Sequence, residues 1–361
     1  MLYWLLVPLS ESFSALNVFR YITFRAAGAT LTALALSLLL GKPFIAWLRR
    51  MSVGQNIRDV GPASHQVKAG TPTMGGLLIL FALAVPTLLW AALDNVYVWL
   101  ALGTTVAFGA IGFWDDFIKV RRRRNLGLTA RAKLWLQIAA AAAFGGLLFL
   151  LPSSLGFSPV LTFPFFKTWV VNLGLLYVPF VVVVLVGASN AVNLTDGLDG
   201  LAIGATLVAA GTYAAFTYVA GNSVAARYLQ VPYVPGAGEL TVFCGAMVGA
   251  SLGFLWWNAH PAQVFMGDVG SLAIGGAIGT VAVVAKQELV LVLVGGLFVV
   301  EALSVIVQVA SFKLTGKRVL KMSPLHHHFE LSGWAEPKII VRFWILSLVF
   351  ALASLATLKL R

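Results

Sequence analysis

Five aspartates stand where carboxylates could do chemistry. Asp115 and Asp116 are adjacent in Gly112-Phe113-Trp114-Asp115-Asp116-Phe117. Asp196 and Asp199 follow Asn193 at three-residue intervals in Asn193-Leu194-Thr195-Asp196-Gly197-Leu198-Asp199-Gly200, with Asn190 one interval upstream. Asp268 sits in Phe265-Met266-Gly267-Asp268-Val269-Gly270-Ser271, shortly after Asn258. Mg²⁺ prefers carboxylate oxygen and keeps several waters, so one or two aspartates plus substrate phosphates suffice to hold it. Lysines neutralise the remaining phosphate charge. Such a set supports phosphoryl transfer to or from a diphosphate. Lys68 and Lys133 lie close to the ends of apolar stretches, and Lys119 stands beside the Asp pair, so all three suit contact with an anionic ligand.

Taken singly, each motif has a plainer reading. Asp268 alone reads as a helix N-cap, and the Asp pair as a membrane boundary balanced by Lys119 and the run Arg121–Arg124. The combination points to a site. Spacing at i, i+3 and i+6 puts Asn193, Asp196 and Asp199 on one helical stripe, and Gly197 and Gly200 interrupt that helix so that a ligand can approach the backbone. No Walker A motif is present.

The triplet His326-His327-His328, set in Ser323-Pro324-Leu325-His326-His327-His328-Phe329-Glu330, holds three of the chain's five histidines. Successive helical residues turn by about 100°, so the three rings cannot share one face. A zinc site would need converging ligands, and the single cysteine, Cys244, offers none. Phosphate binding or proton exchange near neutral pH fits better. Glu301, alone in its apolar stretch, reads as a buried structural partner for a helix dipole or a hydroxyl, without a function.

The elements that position these residues are membrane helices. Hydrophobic residues make up 60% of 361 and charged residues 11%, where a soluble chain carries about a quarter charged. A helix needs about 20 apolar residues to cross the hydrocarbon core. Ten such stretches run over 22–46, 73–92, 97–117, 133–151, 170–190, 201–220, 240–257, 269–285, 289–312 and 339–358. The expected fold is an all-α integral membrane protein, one polytopic domain over 1–361, with no cleaved signal peptide. Most of the 25 Lys and Arg fall in the connections 47–72, 115–133 and 313–342, each joining an odd stretch to an even one. By the positive-inside rule these are cytoplasmic and both termini are periplasmic. The five aspartates and the histidines share that face. The net charge of +12 suits anionic lipid headgroups and an anionic substrate; nucleic acid is excluded because the bases lie between membrane spans.

The motifs together resemble the phospho-N-acetylmuramoyl-pentapeptide transferase family, within the polyprenyl-phosphate N-acetylhexosamine-1-phosphate transferases. The resemblance rests on Lys68-Ala69-Gly70-Thr71-Pro72-Thr73-Met74-Gly75-Gly76, Phe113 to Lys119, Asn193 to Gly200, Phe265 to Ser271 and Pro324 to Glu330, in family order across nearly the whole chain. It implies a Mg²⁺-dependent enzyme of the bacterial cytoplasmic membrane. A phosphate oxygen of undecaprenyl phosphate attacks the β-phosphorus of UDP-N-acetylmuramoyl-pentapeptide, and UMP leaves. By the same resemblance Asp268 is the Mg²⁺ ligand, and Asp115, with Asp116 beside it, deprotonates or positions the lipid phosphate. Lys68, Asn193, Asp196, Asp199, Asn258 and Phe265 resemble nucleotide-pocket residues, with Asn190 and Lys119 beside them. Lys133, Ser271, His326, His327 and His328 match positions around the sugar and diphosphate, with His326 assigned among the catalytic groups. Small residues in the spans suit packing against a second copy, and the resemblance implies a homodimer.

Two rival readings share part of this pattern. A sister enzyme transferring N-acetylglucosamine-1-phosphate could carry the same Asp motifs; the His triplet favours the muramoyl-pentapeptide enzyme. An ion-coupled transporter also carries intramembrane acids, but here the acids gather at helix ends and no inverted repeat is evident. Direct attack is preferred over an aspartyl-phosphate intermediate, because polyprenyl phosphate is already a charged oxygen nucleophile.

Overall fold

The computed structural model describes residues 1–51, 70–122, 126–151 and 157–359. Its helices are α1 (Leu2–Leu6), α2 (Ile22–Arg50), α3 (Gly76–Trp90), α4 (Val96–Arg122), α5 (Ala130–Phe149), α6 (Tyr177–Thr195) and α7 (Leu201–Gly221). They continue with α8 (Ser223–Leu229), α9 (Leu240–Asn258), α10 (Gly267–Val284), α11 (Leu291–Val294), α12 (Gly296–Thr315), α13 (Leu325–Glu330) and α14 (Glu336–Ala356). Among the described residues nine helices are long and apolar enough to span a membrane, and α3, with 15 residues, is a shorter apolar helix. All ten coincide with the apolar stretches of the sequence.

α10 forms the centre of the bundle. Every residue from Val269 to Val284 is buried, as expected of a helix that is apolar on all sides. It packs against α4 and α6, while α2 packs on α9. Glycine permits the close approach. A methyl group built on Gly112 of α4 would lie 2.1 Å from the carbonyl oxygen of Asp268, and one on Gly76 of α3 would lie 2.1 Å from Gly270 N. Two helices are thus held against the first turn of α10, where Asp268 sits.

The connections differ from expectation in two places. Residues 160–172 form an antiparallel hairpin, β1 (Val160–Phe163) with β2 (Phe166–Asn172), so α6 begins at Tyr177 and not at 170. Phe166, Trp169, Val170 and Val171 have the apolar, β-branched and aromatic character of both strands and spans, and hydropathy alone merges them with the helix. The stretch 289–312 is broken at Gly295, leaving the short α11 before α12.

Away from the aspartate motifs, buried charged groups pair with one another. Arg25 donates to both oxygens of Glu239, each at 2.6 Å. The tract Lys286-Gln287-Glu288, a gap between apolar stretches, is buried: Lys286 Nζ donates to Glu288 Oε1 (3.0 Å) and to the Tyr177 hydroxyl (2.9 Å), which itself donates to Glu288.

Candidate active site

Asp115 and Asp116 occupy the last turns of α4, both buried. Asp268 lies in the first turn of α10, and Asn193 in the last turn of α6. The three helix ends converge so that oxygens of Asp115, Asp116 and Asp268 lie within 4.8 Å of one another. The ammonium of Lys119 contacts all three, at 2.6 Å from Asp115, 3.2 Å from Asp116 and 2.9 Å from Asp268. Lys133, from the first turn of α5, reaches the same Oδ2 of Asp268 at 2.9 Å. The amide of Asn193 donates to Asp268 Oδ1 (2.7 Å) and to Ser271 Oγ (2.8 Å). Asp268 is therefore the focus of the cluster, with two cations and an amide on one carboxylate.

Neighbouring backbone fixes its place. The Asp115 side chain accepts the N–H of Leu128 at 2.8 Å, tying the α4–α5 connection to the site. Residues 72–76 run beside 265–267: Phe265 N–H donates to Pro72 O, Gly75 N–H to Phe265 O, and Gly76 N–H to Met266 O, each at 2.8 Å. Two of the sequence motifs are thus joined main chain to main chain. Gly267 adopts φ +71, and a methyl group there would meet Asp116 Oδ2 at 2.6 Å.

Asp268 is not the N-cap of its own helix. That position falls to Met266, and Asp116 from α4 accepts the N–H of Val269 instead. The stripe from Asn193 to Asp199 is also broken, because α6 ends at Thr195 and the chain turns. Asn193 faces Asp268, but Asp199 is buried on another side. Its Oδ2 accepts the N–H of Ala262 (3.0 Å) and lies 3.3 Å from His260 Nδ1, while its own N–H donates to Glu336 Oε1 (3.0 Å). Between them, half-buried Asp196 donates its backbone N–H to Asn193 O (3.3 Å), at the end of α6. Burial and the carboxylates of Asp268, Asp116 and Asp199 push its carboxyl up to about 8.

Other expected ligand contacts are engaged elsewhere. Asn190 donates to Gln137 Oε1 (2.9 Å) and Val186 O (2.8 Å), one turn from the cluster. Asn258 is a buried clamp, accepting Gly200 N–H at 3.0 Å and donating to Val264 O at 2.9 Å. Phe265 is half-buried beside it. Lys68 lies outside the described residues.

The histidines separate as three adjacent rings must. His326 is fully buried against Glu301, with Nδ1 3.2 Å from its Oε2. His327 Nδ1 lies 2.6 Å from Glu330, and His328 Nδ1 accepts the N–H of Lys321 at 3.1 Å. Glu301 accepts a first-turn N–H of α13, in keeping with its reading as a buried partner of a helix end, and the ring of His326 lies beside it as well. His260 and Glu336 join the site without a role that the sequence assigns them. Their signal was weak: a histidine two residues after Asn258, and a glutamate opening the last span.

Oxygen-rich carboxylates ringed by lysines at membrane-helix ends form an anion-handling site that a cation can join. The chain compares closely, and along its whole length, with known proteins. It is 58% identical to the phospho-N-acetylmuramoyl-pentapeptide-transferase of Geobacter sp. (strain M21) over 361 residues, covering 100% of both chains. It is 58% identical to that of Koribacter versatilis (strain Ellin345) and 60% to that of Nitratidesulfovibrio vulgaris (strain DP4), again covering 100% of each. The chain belongs to the phospho-N-acetylmuramoyl-pentapeptide-transferase family. A model of Glycosyl transferase family 4 matches residues 98–286, and signature 1 of the phospho-N-acetylmuramoyl-pentapeptide-transferase matches residues 68–80. The broader match spans Asp115, Asp116, Asn193 and Asp268. The family signature covers the strand of chain that pairs with Phe265 and Met266.

Proposed function

We propose that this chain transfers phospho-N-acetylmuramoyl-pentapeptide from its UDP conjugate to undecaprenyl phosphate, releasing UMP and leaving the lipid-linked diphosphate in the bilayer. One observation carries the chemistry beyond the family name: Lys119, Lys133 and Asn193 converge on Asp268, beside Asp115 and Asp116. In the transfer, a lipid phosphate oxygen forms the new bond to the β-phosphorus, and the bond from that phosphorus to the UMP oxygen breaks. Lys119 and Lys133 offset the charge of the phosphates, and the positioning of the two substrates supplies much of the rate. Asp115 takes any proton left on the attacking phosphate and orients it.

The donor set fits a hard divalent cation. Asp115, Asp116 and Asp268 offer only carboxylate oxygen, which is the Mg²⁺ preference, and Asp268 is the proposed ligand. Mg²⁺, when bound, would neutralise charge on the diphosphate. The Lys119 ammonium lies among the same three carboxylates. Asn193, Ser271, Asp196 and Asp199 surround the nucleotide side, with Lys68, Asn258 and Phe265 contributing from the neighbouring segments. We place the protein in the bacterial cytoplasmic membrane as a multi-pass homodimer, with both termini periplasmic and the site at the cytoplasmic helix ends. That face lets a cytosolic nucleotide and a lipid headgroup meet.

A competition assay tests this reading. UMP should be released from UDP-N-acetylmuramoyl-pentapeptide in the presence of undecaprenyl phosphate, and not from UDP-N-acetylglucosamine. The opposite preference would assign the chain to the sister reaction. Solute flux in liposomes without any nucleotide would make it a transporter.

A further inference from the structure

Glu301 is the one acidic residue within α12, and a carboxylate at membrane depth is costly unless it is paired. It is 0% exposed, and both of its oxygens are directed at one residue. Oε1 accepts the backbone N–H of His326 at 3.2 Å, and Oε2 lies 3.2 Å from the ring Nδ1 of the same histidine. The backbone hydrogen bond ties His326 to Glu301, and the carboxylate lies beside the ring at ion-pair distance without completing a hydrogen bond to it. His326 is also 0% exposed.

The far edge of that ring meets the turn after α6. A methyl group built on Gly197 would lie 2.2 Å from His326 Nε2 and 2.9 Å from Cε1, so the ring abuts the turn with no room for a side chain between them. Gly197 N–H is itself closed onto Thr195 O at 2.9 Å. Both ring nitrogens are buried without a hydrogen-bond partner among the described residues, which is a poor position for a group that must exchange protons with a substrate. It is a suitable one for a spacer. On its other side the turn is held by hydrogen bonds. Asp199 N–H donates to Glu336, Ala262 N–H donates to Asp199, and Gly200 N–H donates to Asn258.

We propose that Glu301 and His326 form a buried strut that sets the position of the turn carrying Asp196 and Asp199, with Glu301 acting through His326 as a positioning residue for nucleotide binding. This rests on the reading above that the turn faces the nucleotide. The His triplet then divides its work: its first member supports the pocket wall from behind.

The test uses the full-length chain in detergent, with UMP release followed against UDP-N-acetylmuramoyl-pentapeptide at saturating polyprenyl phosphate. Glu301→Ala should raise the nucleotide KM about tenfold while kcat falls less than about threefold. Glu301→Gln, which keeps an oxygen for the His326 N–H, should recover most of that loss. Gly197→Ala should raise KM similarly in the wild-type background and much less in a His326→Ala background, where the ring is gone; such non-additivity is the mark of direct contact. A kcat loss of about a hundredfold at unchanged KM, with one limb of the kcat–pH profile removed, would make His326 a proton-transfer residue and overturn the strut. Equal Gly197→Ala effects in both backgrounds would overturn it as well. If the wild-type protein releases no UMP, the functional reading fails separately. The strut is then judged by the same double-mutant cycle in thermal unfolding, where additivity of the two substitutions sinks it.

Discussion

Asp116 Oδ2 accepts the backbone N–H of Val269 at 3.2 Å, so a carboxylate on α4 caps the helix that carries Asp268. The first N–H groups of any helix lack internal partners, and α10 receives no cap from its own N-cap residue. One side chain thereby belongs to both the acidic cluster and the support of its neighbour. Asp116→Ala should cost about 1 kcal/mol of stability, the usual scale of a lost cap. Asp116→Asn keeps a carbonyl acceptor and should lose less than half of that, although both variants lose activity. Thermal unfolding in detergent separates the two; equal melting temperatures for the variants would remove the cap from the account.

Asp268 holds together what the other residues share. With Asn in its place, Lys119 and Lys133 lose their common counter-charge and the proposed cation loses its ligand. UMP release should fall by about a hundredfold or more, and Mn²⁺ binding followed by electron paramagnetic resonance should weaken in parallel. The fold should persist, because Asp268 is on the open end of α10 and does not cap it. Near-normal turnover in Asp268→Asn would take this residue out of the metal site.

Much of this was legible before any coordinates, and the exceptions have a common cause. Nine of the apolar stretches carry a helix long enough to span, and the tenth carries the shorter α3, because length and hydropathy are local properties. The motif residues were picked out by type, and Asn193, Lys119, Lys133 and Asp268 do meet. Direction was not readable. Asn190 is one helical turn from Asn193, yet it faces Gln137; Asn258 spends both ends of its amide on the backbone. Glu301 and His326 pair across 25 residues and a chain reversal, which no periodicity encodes. The hairpin is not legible in the sequence because its residues are as apolar as the span that follows.

Gly112 offers a test of how closely α4 must approach α10. A methyl group there would lie 2.1 Å from the Asp268 carbonyl oxygen, a backbone atom that cannot step aside alone. Gly112→Ala should therefore cost about 1–3 kcal/mol, as overpacking does, and should reduce activity by moving Asp268 away from Asp115 and Asp116. Gly103, on the same helix, has nothing within 4 Å. Gly103→Ala should leave stability unchanged or raise it by up to about 1 kcal/mol, since Gly is the poorer helix former. Matching losses at the two positions would mean that the effect comes from the helix itself and not from the contact.

Asp196 gives the site a pH dependence of definite sign. Its carboxyl is pushed up to about 8 from an ordinary value of 3.8, by burial first and then by the carboxylates of Asp268, Asp116 and Asp199. Between those two values the unfolded chain has lost the proton that the folded chain retains. Unfolding then releases a proton, so this residue makes stability fall as pH rises from about 4 to about 8. Above that window both states are ionised and the penalty stays constant. Asp196→Asn cannot ionise, so the wild-type unfolding midpoint, taken relative to this variant in EDTA, should drop between pH 5 and pH 8 and then level off. Nucleotide binding should follow a related course: above about pH 8 an ionised Asp196 adds negative charge beside Asp268 and the incoming phosphates, and affinity should weaken in the wild type but not in the variant. Parallel pH profiles for the two proteins, in unfolding and in binding, would show that Asp196 is already ionised at neutral pH.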